Sequence, residues 1–242
     1  MKWLTWSETK WFQRNLIYLK MAELWSLNSH AQRAKVGALL VKDGCIISDG
    51  YNGMPTGMSN CCEHATSVGI KTNKEVLHAE SNALMKLCKY GNATANDAVL
   101  YVTYSPCIDC AKLILQAGVK QVHFIDLYHH IDGLRLLSSA GIELYWYPRS
   151  AADYEVACNQ VDFDDDTFLA NFVNIVAVSD NVDDIAHCNY VICNLDAALS
   201  YEKMPMYDAS YGVIANHIID EVQYQHVIDN CKVYEQTIHF EI

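Results

Sequence analysis

The sequence predicts an α/β protein: a sandwich of helices around a mixed, partly parallel sheet, followed by a smaller α/β module. Two observations carry that expectation. Between residues 98 and 147 apolar strand-like runs (98–104, 120–126, 142–147) alternate with helical segments (107–116, 131–140) at the spacing of parallel crossover units. Upstream, two apolar β-rich runs, 36–41 and 45–48, flank Lys42-Asp43-Gly44, and Asp-Gly between such runs is a strong hairpin signal.

Taken in order, residues 7–27 read as a helix. Ser7 can cap it, and Trp11, Leu16, Ile17, Leu19, Met21 and Leu24 give it apolar surface for packing on a sheet. After the hairpin, Gly50-Tyr51-Asn52-Gly53-Met54-Pro55-Thr56-Gly57 is punctuated by glycine and proline and reads as a loop. Residues 58–77 are polar and irregular. A helix is expected over 78–90, with Ala79, Ala83, Leu84, Met85 and Leu87 on its apolar surface and Gly91 at its end. Gly118 stops the helix that begins at Cys107, and Gly141 precedes the last strand of this part.

Composition narrows the class. Half of the 242 residues are apolar, enough for a substantial core, yet no apolar run reaches the 18 residues of a membrane span. Met1-Lys2-Trp3-Leu4-Thr5-Trp6 lacks an apolar signal core, so reduced thiols and a cytoplasmic location are expected for the ten cysteines. Residues 1–150 carry 15 basic and 12 acidic groups, whereas 151–242 carry 2 and 17, which places a boundary near Arg149. The balance lacks the dense basic face of a polynucleotide binder, so neither a nucleic-acid nor a membrane partner is expected.

The chemistry concentrates in His78-Ala79-Glu80 and Pro106-Cys107-Ile108-Asp109-Cys110. One imidazole and two thiolates are three zinc ligands, one short of a closed shell, and an open fourth position marks a catalytic rather than a structural site. Both groups are expected at helix N-termini, where the dipole favours thiolates at Cys107 and Cys110. Zinc lowers the pKa of a bound water, and Glu80 stands two residues from His78 to move its protons. The order His-x-Glu then Pro-Cys-x-x-Cys is the general signature of zinc nucleobase deaminases, which replace an exocyclic amine by water. A Cys-x-x-Cys redox pair is the bland alternative, and a non-catalytic zinc-dependent nucleotide sensor would have no need of Glu80.

From Ser29 to Pro148 the chain resembles the deoxycytidylate (dCMP) deaminases, most of all those of bacteriophages. The motifs are Lys35-Val36-Gly37-Ala38, Gly50-Tyr51-Asn52-Gly53-Met54-Pro55, Asn60-Cys61-Cys62, His78-Ala79-Glu80-Ser81-Asn82-Ala83 and Tyr101 through Lys112. The resemblance implies a cytidine-deaminase-like α/β/α sandwich over residues 1–149 and one catalytic Zn²⁺ per chain. It implies conversion of dCMP to dUMP and ammonia, with Glu80 catalytic and His78, Cys107 and Cys110 on the metal. Ser29, Asn52, Ala79, Tyr104, Ser105 and Tyr128 become candidates for substrate binding, and Arg33 or Lys35 would suit its 5′-phosphate.

The family resemblance also implies a homo-oligomer, often a hexamer, activated by dCTP and inhibited by dTTP. Asn52, Gly53, Met54 and Gly57, within the region 53–77, are the candidate effector residues. Some phage relatives hold a second, structural zinc, for which His30, Cys61, Cys62 and His64 are the candidates here. The rival substrates are a 5-modified dCMP, free cytidine or deoxycytidine, and a cytosine or adenine within a polynucleotide. A phage-encoded protein of this kind would work in the host cytoplasm.

Residues 150–242 fall outside the resemblance. Asp162-Phe163-Asp164-Asp165-Asp166 reads as a solvated linker; strands are expected over 172–178 and 189–195, a helix over 211–222 and a strand over 233–242. Asn194-Leu195-Asp196 weakly resembles nucleoside 2-deoxyribosyltransferases, without a clear nucleophile motif. An oligomerisation or regulatory module is the preferred expectation.

Overall fold

The structure is a computed structural model that describes residues 6–90, 93–149, 173–178 and 190–192. It divides into two compact units, one built on Ile17–Tyr145 and another containing the last two strands. In chain order the elements are α1 (Trp6–Ser26), β1 (Gly37–Lys42), β2 (Cys45–Tyr51), β3 (Glu63–Thr66), β4 (Gly69–Thr72), α2 (Ala79–Tyr90), β5 (Val99–Tyr104), α3 (Ile108–Gln116), β6 (Gln121–Asp126), α4 (Asp132–Ser139), β7 (Glu143–Trp146), β8 (Asn174–Val178) and β9 (Tyr190–Ile192).

The main sheet runs β2-β1-β5-β6-β7. β1 pairs antiparallel with both β2 and β5, while β5 and β6 are parallel, so the sheet is mixed as the sequence predicts. The Asp-Gly signal is realised in full. Asp43 (φ 52°) and Gly44 (φ 77°) both take left-handed conformations, and Lys42 pairs with Cys45 across a two-residue turn. Leu40, Leu100, Ile114, Phe124, Leu134, Leu137 and Leu144 are fully buried, each contributing roughly 1.5–3 kcal/mol relative to exposure.

Two glycines show how the helices approach the sheet. A Cβ on Gly37 would lie 2.0 Å from the Ala22 carbonyl oxygen of α1, and one on Gly50 would lie 2.1 Å from the Ala79 carbonyl oxygen of α2. Gly50 pairs with Ala38, the neighbour of Gly37, so the two glycines point to opposite faces. Helices α1 and α2 therefore cover opposite sides of the sheet, which makes the α/β/α layering.

The structure corrects two local expectations. The glycine-rich loop begins later than predicted, because Gly50 and Tyr51 complete β2. Residues 58–77 are not merely irregular: β3 and β4 form a hairpin pairing Glu63 with Thr72 and Thr66 with Gly69. Four-residue, mostly exposed strands give no alternation for a periodicity argument to detect. In the other unit β8 and β9 pair in parallel, within the two apolar runs predicted as strands. The helix expected over 211–222 and the strand over 233–242 lie outside the described residues.

Candidate active site

His78 immediately precedes α2, whose first hydrogen bond runs from Asn82 N to His78 O at 3.0 Å. Cys107 is the N-cap of α3, and Cys110 lies in its first turn. The His78 Nδ1 atom is 3.4 Å from Cys107 Sγ and 3.4 Å from Cys110 Sγ. Tetrahedral zinc with ordinary Zn–N and Zn–S bond lengths requires N···S separations of about 3.5 Å. The three side chains fit that ion. Among the described residues they are the only group of three such side chains whose ligand atoms gather within 4.8 Å.

The three ligand side chains are electrostatically linked through their shared hydrogen bonds. The Cys107 thiol is lowered to about 4, chiefly by the hydrogen bond from Cys110 and then by that from His78. Cys110 is pushed up, first because its own thiol donates a hydrogen bond to the Cys107 sulfur and then because it is buried. His78 is raised, mainly by its hydrogen bond to Cys107. Ser81 Oγ lies 3.8 Å from Cys110 Sγ and was not anticipated, although it sits one residue beyond Glu80 in the same helical turn.

Glu80 is only 4% exposed, and burial raises its carboxyl above the usual range. A carboxylate moved toward neutrality can both take and return a proton. The fold presses this region together from below. A Cβ on Gly133 of α4 would lie 2.1 Å from Pro106 O, so the start of α4 supports the turn that carries the two cysteines.

Asn52 is a knot rather than a free arm. Its Oδ1 accepts from Val36 N at 2.8 Å, its Nδ2 donates to Ala34 O at 2.8 Å, and its carbonyl accepts from Ser29 Oγ at 2.7 Å. The buried Ser29 hydroxyl also accepts from Ala31 N, so its one proton already has a partner within the protein. Asn82 Nδ2 donates to Tyr51 O, and Gly53 and Leu77 form an isolated bridge next to His78. Met54 follows Gly53, and Gly57 lies on the turn that Met58 N closes by donating to Pro55 O.

The remaining candidates flank the metal ligands. Ala79 is wholly buried at the head of α2. Tyr104 ends β5, and the Ser105 hydroxyl accepts from Tyr128 N at 2.8 Å. Tyr128 is raised, first by burial and then by the charge of Cys107, against a smaller opposing effect of Arg33. Its ring lies tilted against that of His129, with centroids 3.9 Å apart and the planes 42° from parallel.

The second metal set does not assemble. Cys61 Sγ donates to Glu63 O, Cys62 Sγ to Asn60 O, and His64 Nδ1 meets Asn73 Oδ1 at 2.6 Å. These side chains are turned into local contacts around the β3–β4 hairpin, and with His30 they form no metal-holding cluster.

The model of the cytidine and deoxycytidylate deaminase zinc-binding region matches residues 13–126. The chain is 32% identical to the deoxycytidylate deaminase of enterobacteria phage T4, covering 54% of this chain and 88% of that one. It is 35% identical to ComE operon protein 2 of Bacillus subtilis over 53% of this chain and 68% of the other. Among solved structures, the dCMP deaminase of cyanophage S-TIM5 in complex with dCMP and dUMP is 45% identical. It covers 54% of this chain and 94% of the phage chain, with a TM-score of 0.51. With its His-Cys-Cys cluster and buried glutamate, this chain belongs to the zinc-dependent cytidine and deoxycytidylate deaminase family.

Proposed function

We propose that the protein hydrolyses deoxycytidine 5′-monophosphate to dUMP and ammonia. The observation that carries this reading is Glu80, a buried carboxyl raised above its usual range directly beside His78, Cys107 and Cys110. The cyanophage relative's complex with dCMP and dUMP supports the choice of nucleotide. Zinc held by the three ligands would supply a water of lowered pKa next to Glu80. Glu80 takes a proton from the attacking water as oxygen adds to C4 of the cytosine, and delivers it to ring N3. It then carries the second water proton to the exocyclic nitrogen, the C4–N bond breaks, and ammonia leaves.

The other residues act by holding this arrangement. Asn52 fixes the chain at residues 34–36 and, through the Gly53–Leu77 bridge, the approach to His78. Ser105 fixes the backbone at Tyr128 by accepting from its N–H. By the family resemblance, we further infer activation by dCTP and inhibition by dTTP through the region 53–77, one zinc per chain and a homo-oligomer; composition supports a cytoplasmic location, and for residues 150–242, which lie outside the resemblance, an oligomerisation or regulatory role is our reading. No described helix is long and apolar enough to cross a membrane.

A substrate panel tests the main reading. Ultraviolet absorbance should show turnover of dCMP well above CMP, deoxycytidine, dCTP and an oligonucleotide. Preference for 5-methyl- or 5-hydroxymethyl-dCMP would redirect it to a modified nucleotide, and preference for the oligonucleotide would refute it. Adding dCTP or dTTP to the same assay, with mass measurement in solution, tests regulation and assembly.

A further inference from the structure

Three consecutive residues in the first turn of α2 serve three different neighbours. Glu80 is buried at the metal ligands, and Asn82 Nδ2 donates to Tyr51 O at 2.8 Å, which ties the turn to β2. Ser81, between them, reaches across to α3, with its Oγ 3.8 Å from Cys110 Sγ. Successive helix positions diverge by about 100°, so a single turn can address the site, the sheet and a second helix. Helix propensity alone does not account for the serine, since alanine is the better helix former.

The two ligand sulfurs have different surroundings. Cys107 is half-buried, whereas Cys110 is only 2% exposed, so water has little access to charge on the Cys110 sulfur. A buried anion that lacks donors is costly, and a protein hydroxyl can take the place of water. A metal-bound thiolate carries no proton and can only accept, which makes Ser81 the donor of this pair whenever an ion is held. Among the described residues Ser81 Oγ has no other hydrogen-bond partner, so its proton is available for this one.

We infer that Ser81 is a positioning residue of the metal centre: its hydroxyl donates to the Cys110 thiolate and draws negative charge off that sulfur. A zinc ion bound by the weaker electron donor is the stronger acid toward the attacking water. The inference deepens the zinc reading above and does not depend on which nucleotide is the substrate.

Cobalt(II) in place of zinc in the full chain gives a direct readout, because thiolate-to-cobalt charge transfer absorbs in the near ultraviolet. Ser81→Ala should move that band to longer wavelength, since a sulfur without its donor gives up an electron more readily. The visible bands of the tetrahedral ion should keep their positions, and Ser81→Thr, which retains a hydroxyl, should restore the wild-type charge-transfer band. Competition with a chelator should show zinc affinity weakened about tenfold in Ser81→Ala, the lower end of what such outer hydrogen bonds are worth. Turnover of dCMP should fall severalfold in kcat at unchanged KM. The metal-free Ser81→Ala protein should keep at least the wild-type Tm, so that misfolding cannot imitate these results. A charge-transfer band and a zinc affinity equal to wild type would make Ser81 a packing residue and overturn the inference, as would the same losses in Ser81→Thr. A wild-type chain that takes up neither cobalt nor zinc would sink the zinc reading itself. One that holds both ions yet leaves dCMP intact would sink the proposed substrate alone, with the cobalt spectra still deciding Ser81.

Discussion

Gly53 and Leu77 exchange both of their backbone hydrogen bonds, at 3.0 and 2.9 Å, so the residue before the metal ligand His78 is tied to the loop that follows β2. Asn52 lies one residue before that bridge and fastens it to residues 34–36. The nucleotide-family loop and the metal site are thus one connected unit.

Asn52→Ala should expose this coupling. It leaves Val36 N and Ala34 O without their side-chain partners, at a cost of about 1–3 kcal/mol each where water cannot replace them. Thermal unfolding should show a lowered Tm, and turnover should fall while zinc content stays near the wild-type value.

Glu80→Gln should keep the fold and the metal but lose about two to four orders of magnitude in kcat, the usual worth of a positioned proton carrier. Zinc analysis and single-turnover absorbance check both halves.

The same substitution should raise stability in the metal-free protein. Burial lifts the folded-state pKa of Glu80 above its unfolded value, so the folded chain binds the proton more tightly. The stability this confers is full below the unfolded pKa and is lost as pH rises through the folded one. Glu80→Gln should therefore gain Tm over wild type at neutral pH, with the gain vanishing in acid; equal Tm at both pH values would contradict the cause assigned here.

Removing zinc should uncover one reactive thiol before the other. Cys107, lowered to about 4, is a thiolate at neutral pH and is half-buried, whereas Cys110 is raised and buried. Brief treatment of chelated protein with iodoacetamide should alkylate Cys107 first, as read by peptide mass mapping, and added zinc should protect it.

Gly50→Ala should be more damaging than its size suggests. The added methyl would fall 2.1 Å from Ala79 O and 2.6 Å from Ala83 N, both backbone atoms of α2. Overpacking of this kind costs about 1–3 kcal/mol, and here it pushes the helix carrying Glu80 off the sheet. Urea unfolding and kcat should fall together, while Gly44→Ala, at an open turn, should affect stability alone.

The sequence by itself determined the elements and the chemical inventory. Asp43-Gly44 dictated its turn, because the side-chain chemistry of a two-residue hairpin is local. The alternation from 98 to 147 dictated the strands and helices on which Pro106, Cys107 and Cys110 ride, and residue type with spacing named His78, Glu80, Cys107 and Cys110 as a metal and proton site. Only the tertiary structure decided which atoms meet. His78 reaches Cys107 and Cys110 across 29 and 32 residues. The Asn52 amide is engaged by backbone 16 and 18 residues away. The Glu63 carboxylate serves a loop 30 residues upstream, through a hairpin too short and too exposed to leave a periodic trace. Sequence periodicity records which face of an element is buried, whereas partners this distant are chosen by strand register and helix docking.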